Sequence, residues 1–256
     1  MGSFPAASDI RSRAIVLVPA RLRASRLPGK PLLPIAGEPM VVRVWRRAVE
    51  ADVGPVVVAC AEEAIKAAVE AAGGEAVLTD PDLPSGTDRI DAALRAVDPE
   101  GRFGRVVNLQ GDLPTLDPGA VRAVLEALDA LGTDMATLAA PIADPDERGR
   151  PSVVKAVVAW RDDRLGRALY FTRAAAPWGD GPLFHHVGIY AYRRDALERF
   201  AALPPSPLER RERLEQLRAL ENGMTIGVGR VDRVPLGVDT PDDLARARAF
   251  CEGTGA

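Results

Sequence analysis

The chain has 256 residues, 47% of them hydrophobic, and a net charge of −3 from 33 basic and 36 acidic side chains. That length suits one large α/β domain or one domain with a small appendage, and the near balance of charge excludes a global field for nucleic acid or an anionic membrane, so any polyanion site must be local. Two distant cysteines, Cys60 and Cys251, make no disulfide framework or zinc site, no run of about 18 apolar residues reads as a membrane span, and residues 1–13 lack a secretory apolar core; the expectation is a soluble cytoplasmic protein with short tails at 1–13 and 251–256.

In chain order, "AIVLV" from Ala14 reads as a buried strand that runs into Pro19. The following loop carries Arg21, Arg23, Arg26 and Lys30 among prolines and glycines, which disfavour both helix and strand. Apolar residues at Met40, Val41, Val44, Trp45 and Ala48 then have helical spacing. A strand at "GPVVVACA", a helix at "EEAIKAAVEAAGG" ending in a glycine pair, and a strand at "EAVLT" follow. "SGTDRIDAALRAV" opens on cap-forming residues and continues as a helix, "RVVNLQGD" is a strand reaching a Gly-Asp corner, and "DPGAVRAVLEALDALG" is a proline-started helix. This alternation predicts a Rossmann-like α/β fold with a mostly parallel central sheet. After Asp134 the strands "MATLAAPI", "SVVKAVVAW" and "FHHVGIYAYRR" have a more antiparallel character. One long charged helix over Pro207 to Asn222, a strand at "TIGVGRV" and a helix at "TPDDLARARAF" complete the prediction. No linker demands a cut, so 14–250 reads as a single domain.

Three segments carry candidate chemistry. The cationic loop matches neither nucleotide-binding glycine pattern, so phosphate binding would rest on Arg21, Arg26 and Lys30, with forked guanidinium contacts and a point-charge ammonium. Gln110-Gly111-Asp112 projects a carboxylate over the same sheet edge, where loops hold ligands. Asp239 stands just before Thr240 and Pro241, natural N-cap and N1 residues, and so is free to coordinate a cation. Magnesium is held by one or two carboxylates plus substrate phosphates, which suits this pair. Taken singly, each segment has a plainer reading: a solvated basic loop, a turn, a helix cap. His185 and His186, neighbours on a strand, point to opposite faces, which argues against a shared zinc.

"VPARLRASRLPGKPL", "SGTDR", "VVNLQGDLP", "HHVGIYAY", "SPLERRERLEQLR" and "GVDTPDDL", in this order from about Ile15 to Phe250, resemble the 3-deoxy-manno-octulosonate (Kdo) cytidylyltransferases, or CMP-Kdo synthetases. The resemblance implies transfer of a cytidylyl group from CTP to Kdo, giving CMP-Kdo and pyrophosphate for lipopolysaccharide assembly, with magnesium, in a homodimer built on an antiparallel extension over about 135–200. It implies nucleotide contacts from Ala20, Arg21, Arg26, Lys30, Ser85, Gly86 and Asp112. Arg26, Arg89, Gln110, His186, Glu209 and Gln216 would surround the sugar acid. Asp112 and Asp239 would bind the metal, with Arg21 and Lys30 completing the catalytic set. One departure stands out: Leu113 occupies a place where many members carry glutamate. Another sugar acid, such as an 8-amino Kdo analogue, is the nearer alternative, since one or two pocket contacts decide such selectivity. A non-catalytic nucleotide-binding or scaffolding protein is the alternative of another class.

Overall fold

A computed structural model describes residues 13–23 and 26–253. The chain forms two compact units, 1–121 with 235–256, and 122–234. Most of the expected tails, and Ala24 and Ser25 of the cationic loop, lie outside the described residues.

In the first unit, strand β1 (Ala14–Ala20) continues two residues beyond the apolar run, through Pro19. A single turn at Lys30–Leu32 leads to a miniature hairpin of β2 (Pro34–Ile35) and β3 (Glu38–Pro39), then helix α1 (Met40–Val49). Strand β4 (Val56–Cys60), helix α2 (Glu63–Ala71), strand β5 (Glu75–Leu78), helix α3 (Gly86–Val97), strand β6 (Arg105–Leu109) and helix α4 (Pro118–Leu131) follow, and the chain passes into the second unit within α4. β1 lies between β4 and β6, and β4 beside β5, all parallel. Residues 15–18 of β1 and all of β4 are buried, as expected of parallel strands covered on both faces. Each fully buried Val, Leu or Ile contributes roughly 1.5–3 kcal/mol, enough to fix the sheet whose edge carries the loops.

The second unit is built from β7 (Met135–Pro141), β8 (Lys155–Trp160), β9 (Leu165–Thr172), β10 (Phe184–Arg193), helices α5 (Arg194–Ala202), α6 (Pro207–Glu212) and α7 (Gln216–Glu221), and β11 (Ile226–Arg230). Strand order is β10-β7-β11-β9-β8; β7 and β11 are parallel, while the other pairings are antiparallel. The strands are therefore mixed, parallel in the first unit and chiefly antiparallel in the second, rather than mostly parallel.

The single helix expected over Pro207 to Asn222 is instead two short ones. Arg213 between them takes a left-handed conformation, φ +56°. The break brings Glu221 back onto the start of α6, where its carboxylate accepts from the Ser206 hydroxyl and the Leu208 amide, and it lets Arg218 grip Glu209. Capping and ion pairing thus outweigh continued helix propensity.

The chain returns to the first unit as helix α8 (Pro241–Cys251), which starts and ends one residue later than the expected helix because Thr240 is its N-cap. Thr240 and Asp243 form its capping box. Leu244 and Ala247 pack with Val238, Ile35 and Met40, and Leu27 of the cationic loop rests against this cluster. A loop without regular structure is thereby anchored by an apolar side chain.

Candidate active site

At the C-terminal ends of β1 and β6 the first unit has an open cleft of about 340 Å³. Ala20, Arg21, Arg26, Lys30, Ser85, Gly86, Arg89, Gln110, Asp112 and Asp239 all line it, and so does Arg23, a cation to which the sequence reading gave no role. Glu62 is a further participant that no local pattern announces: its carboxylate accepts from the Leu22 amide at 2.9 Å and so orients the cationic loop. Gly29, at φ +69°, supplies the left-handed turn into Lys30.

Lys30 is the junction of the cleft. Its ammonium donates to Asp112 at 2.8 Å and to Asp239 at 3.2 Å, while Arg26 pairs with the other oxygen of Asp239 at 2.9 Å. Burial opposes its charge, but the two carboxylates outweigh burial and hold the Lys30 pKa above its ordinary value. The carboxylates meet because their loops are stitched together: the Val238 amide donates to the Asp112 carbonyl at 3.0 Å, and the Leu236 amide to Thr115 Oγ1 at 2.8 Å. Leu113 is buried, so the chain has an apolar side chain at the place where the resemblance expects a glutamate. Gly111 permits the corner, since a Cβ there would sit 2.8 Å from the Pro19 carbonyl oxygen.

Among the described residues no three His, Cys, Asp or Glu side chains gather into a metal cage. The donor set is instead two carboxylates that a single cation, the Lys30 ammonium, touches together. Hard oxygen donors that leave most positions to phosphate and water suit magnesium.

Arg89 is 2% exposed. Its Nη1 donates to Thr79 Oγ1 and to the Asp80 carbonyl at 3.1 Å, but Nη2 is buried without a partner. Burial, with the like charge of Arg21, depresses its pKa, so an anion entering here relieves both costs. Gln110 donates from Nε2 to Asn108, and its Oε1 faces Gly86. The Ser85 hydroxyl is engaged in the α3 capping box, donating to Asp88 at 2.7 Å, so it presents the helix N-terminus rather than a free hydroxyl.

His186, Glu209 and Gln216 belong to the second unit and do not line this cleft. The Glu209 carboxylate is already committed, with its oxygens 2.6 and 2.8 Å from Arg218 and one accepting from the Ser206 amide. Although burial raises its pKa, these bonds lower it below the ordinary carboxylate value. Gln216 is buried, with Nε2 unpartnered. His186 meets Thr137 through Nε2 at 3.0 Å.

A family model described as cytidylyltransferase matches residues 15–226. The 3-deoxy-manno-octulosonate cytidylyltransferase of Parvibaculum lavamentivorans is 63% identical over 96% of this chain and 95% of its own length. That of Rhodospirillum centenum is 65% identical over 94% of this chain and 95% of its own. A solved structure of CMP:2-keto-3-deoxy-manno-octonic acid synthetase complexed with CTP matches with a TM-score of 0.88 at 40% identity, covering 94% of this chain and 99% of that one. With the fold, the cleft and likeness along nearly the whole chain in agreement, the chain belongs to the 3-deoxy-manno-octulosonate cytidylyltransferase family.

Proposed function

We propose that the protein is a cytidylyltransferase that joins CTP and Kdo to give CMP-Kdo and pyrophosphate, supplying an activated acid sugar for lipopolysaccharide assembly in the cytoplasm. The observation that carries this reading is the cleft itself: Arg21, Arg23, Arg26 and Lys30 line it together with the carboxylates of Asp112 and Asp239, which Lys30 joins. Relatives of that name extend over nearly the whole chain.

In this reading the N-terminus of α3, with Ser85 and Gly86, receives the nucleotide beside Ala20. Arg21, Arg23 and Arg26 neutralise the triphosphate, and most strongly the charge that accumulates on departing pyrophosphate. Asp112 and Asp239 hold magnesium, which supplies Lewis-acid neutralisation at the phosphate oxygens. Lys30 keeps the two carboxylates together before substrate arrives and is within reach of the phosphates afterwards. Arg89 uses its unpartnered Nη2 on the sugar carboxylate beside Gln110, and the family resemblance assigns His186 and Gln216 of the second unit to the sugar as well. The anomeric hydroxyl attacks the α-phosphorus in line, so no covalent enzyme nucleophile is required and positioning supplies much of the rate.

The second unit provides the homodimer face in this proposal. Its support is apolar surface on and near the antiparallel strands: Leu169 is 52% exposed and Trp178 fully exposed.

The test is formation of CMP-Kdo from CTP, Kdo and magnesium, followed by mass spectrometry, with Asp112→Asn alongside. Product from the wild type and none from the variant is expected. Equal product from both would remove Asp112 from its role, and none from the wild type would remove the function.

A further inference from the structure

Thr137 of β7 is fully buried, and its hydroxyl stands among three polar atoms. The Ile189 carbonyl oxygen lies at 2.8 Å, the Val187 carbonyl oxygen at 3.0 Å and His186 Nε2 at 3.0 Å. The pairing of β7 with β10 shifts register between Val187 and Tyr190, so the hydroxyl fills the space that the irregular strand opens.

A hydroxyl has one proton, and neither carbonyl can donate. If that proton went to His186, both carbonyl oxygens would face a lone pair at hydrogen-bond distance, an unfavourable contact in a buried place. If it goes to a carbonyl, the hydroxyl oxygen turns a lone pair to Nε2, which must then carry hydrogen. The second arrangement satisfies more groups. Burial, and then the neighbouring His185, push the His186 pKa down to about 3, so the ring is neutral near pH 7 and its other nitrogen keeps a lone pair. Phe171 packs edge-on to the ring at 5.0 Å and Tyr190 lies at 5.5 Å, which restrain its rotation.

We propose that Thr137 is a positioning residue that fixes His186 as the Nε2–H tautomer, so that Nδ1 is an obligatory hydrogen-bond acceptor for a hydroxyl of the bound sugar acid. The part concerning the sugar rests on the proposed function; the tautomer rests on the geometry alone. The arrangement gives the ring a directional preference, since Nδ1 can receive a donor and cannot serve a second acceptor.

The chain has only two histidines, which makes the assignment tractable by nitrogen-15 NMR of histidine-labelled protein, with His185→Gln to identify the His186 signals. In the free wild type, His186 should show a protonated Nε2 and an unprotonated Nδ1, and the Nδ1 resonance should move when Kdo is added with CTP. Thr137→Val should lose the fixed tautomer and raise KM for Kdo roughly tenfold, the scale of one lost hydrogen bond, with KM for CTP unchanged; Thr137→Ser should restore both. A wild-type His186 protonated on Nδ1, or exchanging freely between tautomers, overturns the proposal whether or not the valine variant folds. An Nε2–H ring whose Nδ1 signal ignores saturating Kdo, in protein that consumes CTP and Kdo, overturns the acceptor role while leaving the enzyme activity standing. Pyrophosphate release is scored separately, so failure of the proposed function is seen apart from failure of the tautomer.

Discussion

Replacing Lys30 by methionine separates what this ammonium does for the fold from what it does for catalysis. Two unit charges about 4 Å apart near a protein surface attract by about 4 kcal/mol before desolvation. Lys30 must be desolvated to make its pairs, its side chain being 16% exposed, and Asp239 is half exposed, so its share is screened. The net contribution to stability is about 1–2 kcal/mol, because the penalty of burial cancels most of the attraction. In the proposed reaction no such cancellation applies in the transition state, since the cation would already be in place while charge moves onto the departing phosphates; loss of one preorganised donor typically costs about 100- to 1000-fold in kcat. Lys30→Met should therefore melt within a few degrees of the wild type and turn over at least 100-fold more slowly. Calorimetry paired with pyrophosphate-release kinetics checks both. Activity within threefold of wild type, in protein shown to be folded, would refute the reasoning.

Arg89→Met should raise KM for Kdo by about 10- to 100-fold and leave KM for CTP nearly unchanged in steady-state kinetics, because it removes the charge-assisted anchor proposed for the acid. Gly111→Ala should destabilise by about 1–3 kcal/mol in urea melts, since its Cβ would stand 2.8 Å from the Pro19 carbonyl and backbone must move. On acidification, Glu209 has a folded pKa below its ordinary 4.5, so its stabilising contribution is present above about pH 4.5 and disappears as pH falls through the lower folded value. Stability measured by urea melts should fall in that window, and Glu209→Gln should flatten the decline.

The legible parts of the fold are those whose signal is local. Continuous apolar runs marked β1, β4 and β6, and the cap-forming residues at Ser85 and at Thr240 with Pro241 marked the starts of α3 and α8, where Asp88 and Asp243 complete capping boxes in the structure. β9 escaped notice because its exposed positions include Leu169 and its buried ones include Gly166, which blurs the period-two alternation. α5 begins directly after β10, with Arg193 as an N-cap that makes no side-chain bond, so no start signal separates strand from helix. The break at Arg213 depends on Glu221 reaching back to Ser206 and on Arg218 reaching Glu209, partners distant in sequence.

The candidate site divides in the same way. Its cations and carboxylates could be picked out as residue types at strand ends, and family likeness gathered them into one list. What joins them is tertiary: Glu62 on the Leu22 amide, Val238 on the Asp112 carbonyl, and Thr79 with Asp80 on Arg89. Arg23 went unassigned because one more arginine in a basic loop has no distinguishing local pattern; its place in the cleft depends on the folded loop.

The central claim is tested most directly by measuring pyrophosphate release from CTP with magnesium and Kdo, against the 8-amino analogue and sialic acid, with UTP and ATP as nucleotide controls. The account predicts efficient release with CTP and Kdo and little with the other pairs. Release only with another acid would contradict the sugar assignment, and silence with every pair would contradict catalysis itself.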